Sequence, residues 1–344
     1  MKKFSEMTAA QRRLVLEQCK NRLGLPEQAV EKDYWVTVVL QLLFDSELSG
    51  SIIFKGGTSL SKCGGLIDRF SEDIDLAANP RLFGQEGDPT KKQLEKLRKA
   101  SSLFVKESLS TILAAQIDRH GLSDHLQIVI EPDGEGDLTY PEPRHLYVRY
   151  RSILPQTLAY IKPEVVLEIG ARSLMEPTVS LRLQTLIGQT FGGIDTTICD
   201  VPVITASPEK TFIEKVFLLH ELFCIQRESL PAVRRSRHLY DLYKMMDRDF
   251  AIKAITDDAL WESVRHHREV FTSMLGVDYS CDIRDNLCLL PPEPFIEDWQ
   301  NDYRLMCDAM IYGEKPTWSQ LLESLHLLEG RFRSRLSHQG FSNI

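Results

Sequence analysis

Apolar residues recur at helical spacing through the first part of the chain. Thr8 is a residue type that caps helices, and the pattern predicts a helix from there to Lys20 and a second one over about 26–44. The segment 51–78 has a different pattern, which predicts a strand, a turn, a short helix, a loop and a second strand. A charged segment with apolar positions at helical spacing then predicts a helix over about 89–119.

Short apolar runs that contain β-branched residues follow and favour strands. Residues 126–130 and 146–150 predict two strands, and the acidic segment 131–142 between them predicts a hairpin loop. A third strand is predicted over 165–169, in which Glu168 is one carboxylate among apolar neighbours. We therefore expect the middle of the chain to form a sheet.

The pattern changes again near Ala206, and from Ser207 onward it is helical almost throughout. A chain of 344 residues also exceeds the usual size of a single core. We therefore predict an α+β protein with an α/β lobe over residues 1–206, which includes the N-terminal helices, and a helical lobe over residues 207–344.

Composition restricts the class of protein. Apolar residues make up 43% of the chain and charged residues 26%, as in an ordinary soluble globular protein. No apolar signal core follows the first residues, and the longest apolar stretch, over about 35–44, is too short to span a membrane. We therefore expect a cytoplasmic protein without a membrane partner.

The net charge of −8 argues against a general coat for nucleic acid, but it is compatible with a local basic surface. Two short segments are rich in basic residues, and each is either such a surface or an ordinary solvated helix face. They contain Lys91, Lys92, Lys96, Arg98 and Lys99, and Arg234, Arg235, Arg237 and His238.

The cysteines and histidines do not suggest a zinc site. Seven cysteines are an odd number, and no two have the spacing of a zinc-binding pair. His266 and His267 are adjacent, so they point to different faces of a helix. We expect buried, reduced thiols and no zinc.

A glycine pair, Gly56-Gly57, follows the first predicted strand in the run FKGGTSLSK. Glycine lets the backbone approach a phosphate without an intervening Cβ, and the free N–H groups of the helix that follows favour an anion. The run is neither a P-loop nor a dinucleotide-binding fingerprint, because the required Gly-Lys-Ser/Thr and Gly-x-Gly-x-x-Gly are absent. The predicted nucleotide-binding residues are Lys55, Gly56, Gly57, Thr58, Ser59 and Lys62.

Two aspartates, Asp73 and Asp75, lie in the second predicted strand. Residues i and i+2 of a strand point to the same face, about 7 Å apart, so their carboxylates repel unless a cation lies between them. Mg²⁺ is held by one or two carboxylates together with substrate phosphates. Glu168 is the candidate third carboxylate of a two-metal site, and the alternative for it is an ion pair with Arg172 or Arg149. The layout predicts a nucleotidyltransferase.

The run FKGGTSLSK, followed by RFSEDIDL, resembles the abortive-infection AbiEii toxin family, the toxins of type IV toxin–antitoxin systems. Three further segments resemble the family in the same order, and the matches extend from about residue 30 to 245. They are Glu31–Trp35, Pro208–Lys215 with Leu219–Glu221, and Arg237–Leu242.

The resemblance implies a DNA polymerase β-like nucleotidyltransferase core, a mixed sheet with flanking helices, and a helical C-terminal lobe. It places the metal-binding pair at Asp73 and Asp75, a triphosphate-binding lysine at Lys215, and the last motif's carboxylate at Asp241. Lys210 is the competing choice for the lysine. We expect Lys215 and Asp241 to meet across a helical hairpin, and a surface pair of helices is the alternative.

The gap between the glycine pair and Asp73 is longer than the wider superfamily usually shows. It therefore stays open which of Lys62, Arg69 or Ser71 reaches the site.

The leading hypothesis is a Mg²⁺-dependent toxin that transfers a nucleotide from an NTP to an acceptor hydroxyl on RNA, such as tRNA. The family also implies a cognate antitoxin protein as a partner. The alternatives are transfer to a protein or a small molecule, and a nucleotide-binding module without catalytic activity.

Overall fold

The computed structural model describes residues 2–62, 65–71, 73–134, 139–155, 161–225 and 228–334. Internal contacts divide the chain into two compact units. The first comprises Met1–Gly64 and Phe70–Ala206, and the second comprises Gly65–Arg69 and Ser207–Ile344.

The first unit combines strands with helices. Its strands are β1 (Lys2–Lys3), β2 (Ile52–Lys55), β3 (Asp73–Ala78), β4 (Leu126–Ile130), β5 (Arg144–Tyr150), β6 (Glu164–Gly170), β7 (Thr178–Leu181), β8 (Ile194–Asp195) and β9 (Val203–Ala206). Its helices are α1 (Ala9–Leu23), α2 (Glu27–Phe44), α3 (Gly56–Lys62), α4 (Lys91–Phe104), α5 (Ser110–Arg119) and α6 (Leu186–Thr190), and a π-helical turn over Val105–Leu109 joins α4 to α5.

Seven of these strands form one mixed sheet in the order β4-β5-β6-β3-β2-β9-β7. The pairs β3–β6 and β2–β9 are parallel, and the other neighbours are antiparallel. Strand alternation buries Ile74, Leu76 and Leu167 in the core with residues of α2 such as Val39. The opposite face of β3 and β6 carries the polar side chains.

The first helices begin and end at residues suited to these positions. The Thr8 hydroxyl accepts a hydrogen bond from the N–H of Gln11, whose side chain in turn accepts from the N–H of Thr8. Gly24 ends α1 in the left-handed conformation that favours glycine. Residues 29–44 of α2 are buried throughout, so α2 is a core helix rather than an amphipathic surface helix.

The second unit is helical in its described part. Ser207 caps the first helix and Pro208 occupies its first position, both of which favour a helix start. The core contains paired aromatic side chains: Phe212 stacks on Phe332, and Phe217 packs against Trp261 in a tilted arrangement. The helices are α7 (Pro208–Phe223), α8 (Arg237–Met245), α9 (Asp249–Ile255), α10 (Asp258–Phe271), α11 (Ile296–Ala309) and α12 (Trp318–Ser334).

The predicted α+β fold is confirmed, as are the strands predicted over 126–130, 146–150 and 165–169. The first two form an antiparallel pair, although residues 135–138 of the loop between them lie outside the described part. The sequence pattern does not predict β7 and β9, because four residues are too few for a period to stand out.

None of the six cysteines in the described ranges forms a disulfide. Cys19 is buried, as predicted, but Cys281 is exposed, so the expectation of buried thiols is wrong there. Within the same ranges, the helices include none with the length and apolar character needed to cross a membrane.

Candidate functional site

Four charged or titratable side chains form a row across the polar face of the sheet in the first unit. Lys55 of β2 pairs with Asp75 of β3, Asp75 pairs with Glu168 of β6, and Glu168 pairs with His145 of β5. Directly paired residues of neighbouring strands share a face. Asp73 lies on the same face as Asp75, two residues before it. The three predicted carboxylates therefore lie on one face of the sheet, with Asp75 and Glu168 directly paired across neighbouring strands.

The side chain of Asp75 lies directly against the glycine turn. Gly56 has φ +78°, and a Cβ added to it would lie 1.9 Å from Oδ2 of Asp75. No residue with a side chain fits there without displacing the carboxylate. The requirement for glycine at this position thus comes from both its backbone conformation and its contact with Asp75.

Short hydrogen bonds fix the start of β3 relative to α3. The Thr58 hydroxyl lies 2.5 Å from the carbonyl oxygen of Asp73 and 2.8 Å from Oγ of Ser71. The Ser59 hydroxyl donates to the carbonyl oxygen of Gly56 at 2.8 Å. Thr58 and Ser59 are both buried. The side chains of these two residues therefore hold the turn together within the unit.

Lys62, predicted as a phosphate-binding cation, is nearly buried and bonded within the first unit. Its Nζ donates to Oδ1 of Asp33 at 2.5 Å and to the hydroxyl of Thr37 at 2.8 Å. The other oxygen of Asp33 accepts from the N–H of Leu186 at 2.8 Å. Lys62 thus links α3 to α2, and Lys55 is the lysine that lies in the carboxylate row.

Glu168 contacts His145 and not the arginines considered as alternatives. Its Oε1 lies 3.5 Å from Nε2 of His145, whereas Arg172 pairs with Glu142 and Arg149 pairs with Glu164. The other ring nitrogen of His145 lies 3.1 Å from Glu131. Glu168 and then Glu131 raise the pKa of His145 to about 9, against the opposing effect of burial.

The three carboxylates match the chemistry of a magnesium ion. Mg²⁺ prefers oxygen ligands and retains several waters, so it needs an accessible site with one or two carboxylates and room for phosphates. Asp73, Asp75 and Glu168 supply only oxygen donors, and all three are partly exposed. The close approach of Gly56 to Asp75 gives such an ion a neighbouring backbone that has no side chain.

In the second unit, Arg69, Lys215 and Asp241 form a buried charge cluster. Arg69 donates from Nε and Nη2 to the two oxygens of Asp241, at 2.7 and 2.8 Å. Lys215 Nζ lies 2.8 Å from Oδ2 of Asp241. The expectation that Lys215 and Asp241 meet across α7 and α8 is confirmed. Arg69, one of the three residues left open, contacts Asp241.

Electrostatics determine the charge states in this cluster. Burial alone raises the pKa of the Asp241 carboxyl, but the charges of Arg69 and Lys215 outweigh it and hold the pKa well below its ordinary value. Burial lowers the pKa of Lys215, with Asp241 opposing. Burial and the charge of Lys215 also lower the pKa of His238, whose Nδ1 lies 3.4 Å from Lys215 Nζ. Both effects favour the neutral form of His238.

Lys210 and Lys215 are both buried on α7, five residues apart. This spacing turns their side chains about 140° away from each other around the helix axis. Lys215 is the one whose ammonium contacts Asp241.

The sequence does not reveal the roles of two residues in these clusters. His145 is not among the predicted site residues and lies one residue before the strand predicted over 146–150, although it pairs in register with Glu168 in the structure. From the sequence, Arg69 is one of three candidates to reach the nucleotide. Its position four residues before Asp73 gives no sign of its partner on α8. Partners so distant in sequence leave no local pattern.

Comparison with known proteins identifies the family. The profile of the nucleotidyl transferase AbiEii toxin, type IV toxin–antitoxin system, matches residues 39–324. No curated protein sequence matches the chain significantly. A similar solved structure is MenT4, a nucleotidyltransferase toxin from Mycobacterium tuberculosis H37Rv, with 19% identity, a TM-score of 0.43, and coverage of 94% of this chain and 99% of that chain. Because the profile spans most of the sequence, this chain belongs to the AbiEii family of nucleotidyltransferase toxins of type IV toxin–antitoxin systems.

Proposed function

We propose that this nucleotidyltransferase uses Mg²⁺, held by Asp73, Asp75 and Glu168, to transfer a nucleotide from an NTP to an acceptor hydroxyl. The observation that carries the proposal is the contact between Asp75 and Gly56. This contact places a carboxylate beside the glycine turn that the sequence predicts to bind a phosphate.

In the proposed reaction the acceptor hydroxyl releases its proton to water and its oxygen forms a bond to the α-phosphorus. The bond from that phosphorus to the bridging oxygen of the β-phosphate breaks, and pyrophosphate leaves. Bound magnesium would neutralise phosphate charge and orient the attacking and leaving oxygens. Lys55 and the backbone of Gly56 and Gly57 would hold the triphosphate. His145, charged at neutral pH, would restrain the carboxylate of Glu168.

Lys215 and Asp241 are proposed to act in catalysis, as the family resemblance implies, with Asp241 positioning Lys215. Asp241 is fully buried, and both of its oxygens are bonded to cations. Such a carboxylate serves better to orient Lys215 and Arg69 than to accept a proton or bind a metal ion.

The proposal is tested by replacing each strand aspartate with its isosteric amide. Asp73→Asn and Asp75→Asn are expected to lower transfer from labelled NTPs by about 10³-fold or more, because charge-stabilising groups in phosphoryl transfer are worth about 10³ to 10⁵. The matched control is Glu164→Gln. Glu164 lies on the same face of β6 as Glu168, but its carboxylate pairs with Arg149. Full activity in either aspartate variant would end the proposal.

RNA, and tRNA in particular, is the proposed acceptor. The family resemblance supports it, together with an exposed basic segment in an otherwise acidic protein, since Lys91, Lys92, Lys96 and Lys99 are all exposed on α4. Contacts between basic side chains and phosphates supply much of the free energy of RNA binding. A local basic surface is therefore sufficient to bind RNA.

The acceptor is tested by incubating the protein with labelled NTP and either total RNA, a protein extract or small metabolites. Label is expected in RNA of tRNA size. Label confined to protein or to small molecules would establish one of the alternatives, and label in none of them would favour the inactive nucleotide-binding module.

Toxicity and a cognate antitoxin are proposed from family membership. Expression of the chain is expected to arrest growth, and the Asp75→Asn variant is expected to relieve the arrest at equal protein level. Arrest that persists in the variant would separate toxicity from nucleotide transfer.

A further inference from the structure

Three side chains of metal-binding type meet in the first unit, apart from the carboxylate row. They are Asp45, His120 and Cys199, and one ligand atom of each lies within 4.8 Å of the others. Nε2 of His120 lies 3.0 Å from Oδ2 of Asp45. All three are partly buried, so water can complete the coordination of an ion.

The fold holds the three ligands through neighbouring contacts. Asp45 follows the last residue of α2, His120 follows the last residue of α5, and Cys199 lies between β8 and β9. The Gln116 side chain donates to the carbonyl oxygen of Asp45 at 3.4 Å, which ties the two helix ends together. The N–H of Ile198 donates to the Gln41 side chain at 3.0 Å and fixes the loop beside Cys199.

The local charge favours a cation. Asp45 and His120 cap the C-terminal ends of α2 and α5, where the helix dipole is negative. Arg119 Nη1 lies 3.5 Å from Oδ2 of Asp45, but its side chain is 65% exposed and is free to turn into solvent. A bound metal ion can therefore take its place beside the carboxylate.

The Cys199 thiol supplies the third donor of the cluster. A coordinated metal ion deprotonates a thiol outright, so sulfur can act as a ligand there.

We propose that Asp45, His120 and Cys199 form a second metal site that binds a zinc-type divalent cation through one oxygen, one nitrogen and one sulfur. This donor set suits Zn²⁺ or Co²⁺ rather than Mg²⁺, which prefers oxygen. The proposal departs from the expectation of no zinc, which rests on sequence spacing alone. It joins the ends of α2 and α5 to the loop before β9.

The proposed site does not depend on the catalytic one. Asp33, which bonds to Lys62 of α3, lies near the start of α2, and Asp45 caps its other end. Twelve residues of helix separate the two by about 18 Å along the axis. We therefore expect a structural ion that stabilises the unit and takes no part in nucleotide transfer.

Cobalt binding tests the site in the full chain. Protein stripped with a chelator and then given Co²⁺ is expected to develop a thiolate-to-cobalt charge-transfer band that saturates at one equivalent. Cys199→Ser is expected to abolish the band, and His120→Ala to weaken binding at least about tenfold. Cys281→Ser, which changes an exposed thiol elsewhere, and Asp75→Asn, which removes a carboxylate of the proposed magnesium site, are expected to leave it unchanged.

A missing band in the wild-type protein, or a band that survives in Cys199→Ser, would overturn the proposal. Zinc protection supplies a test that needs no variant. Zn²⁺ is expected to slow the alkylation of Cys199, mapped by mass spectrometry, at least about tenfold while Cys281 reacts at its original rate. An unchanged rate at Cys199 would contradict the site even if the serine variant failed to fold.

Discussion

Gly56 has no side chain, and the carboxylate of Asp75 occupies the space where a side chain would lie. An alanine there would bring a methyl carbon to 1.9 Å from Oδ2 and would also strain the backbone at φ +78°. We expect Gly56→Ala to reduce nucleotide transfer by about 10²-fold, since displacing a reacting group by about 1 Å has that effect. Initial rates with labelled NTP measure it.

Gly24→Ala is the matched control for this prediction. Gly24 has φ +70°, but nothing lies within 4 Å of its added Cβ. The control therefore introduces the same left-handed strain, about 1–2 kcal/mol, without touching Asp75. Equal loss of transfer in both variants would mean that strain, and not displacement of the carboxylate, limits activity.

Asp241 also acts at the residue scale, through the charges that it neutralises. Asp241→Asn leaves Arg69 and Lys215 buried without their counterion, and we expect the free energy of unfolding to fall by about 3–5 kcal/mol. Urea unfolding measures this loss. Asp200→Asn is the control, because its partner Arg182 and Asp200 itself are largely exposed, and it should change stability by at most about 1 kcal/mol.

A stability change at Asp241 no larger than that of the control would show that the cluster is not a buried ionic network in solution. The result also separates two roles of Asp241. A variant that folds but transfers no nucleotide would support positioning of Lys215, whereas loss of folding would reveal a structural role.

At the scale of an element, α7 carries a histidine that makes stability depend on pH. His220 is buried, and its Nδ1 accepts a hydrogen bond from the N–H of Cys288 at 3.2 Å. Burial lowers its pKa from 6.5 to about 4. Between these values the unfolded chain binds a proton that the folded chain excludes, so stability is lost as the pH falls through this window.

The expected loss is up to about 1.4 kcal/mol for each pH unit between 6.5 and 4. Urea unfolding at pH 7 and pH 5 measures it in the wild type and in His220→Gln, which keeps an acceptor for Cys288 but does not titrate. The variant should lose less stability over this range. His326→Gln, at an exposed position, should behave as the wild type. Identical pH dependence in all three proteins would contradict the prediction.

The elements also show how far periodicity and caps predict structure. Thr8 and Ser207 mark helix starts through bonds to their own neighbours, so their signals are local and the sequence predicts these starts closely. The first helix ends at Leu23, three residues beyond the predicted end at Lys20. The short strands β7 and β9 depend on pairing with each other and with β2, which no local pattern encodes.

At the scale of the whole molecule, the second unit is discontinuous in sequence. It includes Gly65–Arg69, which lie between α3 and β3 in the chain. Within this unit the carbonyl oxygen of Asp68 accepts from the N–H groups of Tyr312 and Gly313, and its carboxylate pairs with Lys244 at 2.8 Å. Arg69 pairs with Asp241. The five-residue segment is therefore bonded into the second unit, and its Ile67 and Arg69 are buried.

We accordingly expect a fragment that begins at Ser207 to be much less stable than the same unit in the full chain. The fragment lacks Arg69. Asp241 therefore loses one of its two cations in the buried charge cluster and keeps Lys215. Thermal unfolding followed by circular dichroism compares the fragment with the full chain. A cooperative transition of the fragment at the temperature of the full chain would show that residues 65–69 are dispensable.

The sequence by itself determined most of the elements and the kind of chemistry. Helix caps, strand alternation and the spacing of Gly56, Asp73 and Asp75 act over a few residues, so they can be recognised along the chain. The same is true of the four motifs that identify the AbiEii family.

Only the tertiary structure decided which distant residues share a site. His145 reaches Glu168 through strand register, Lys62 reaches Asp33 across a helix contact, and Cys199 reaches Asp45 and His120 from a loop far along the chain. The physical reason is that packing and strand pairing join positions with no fixed separation in sequence. Charge partners and metal ligands of this kind therefore become visible only when the chain is folded.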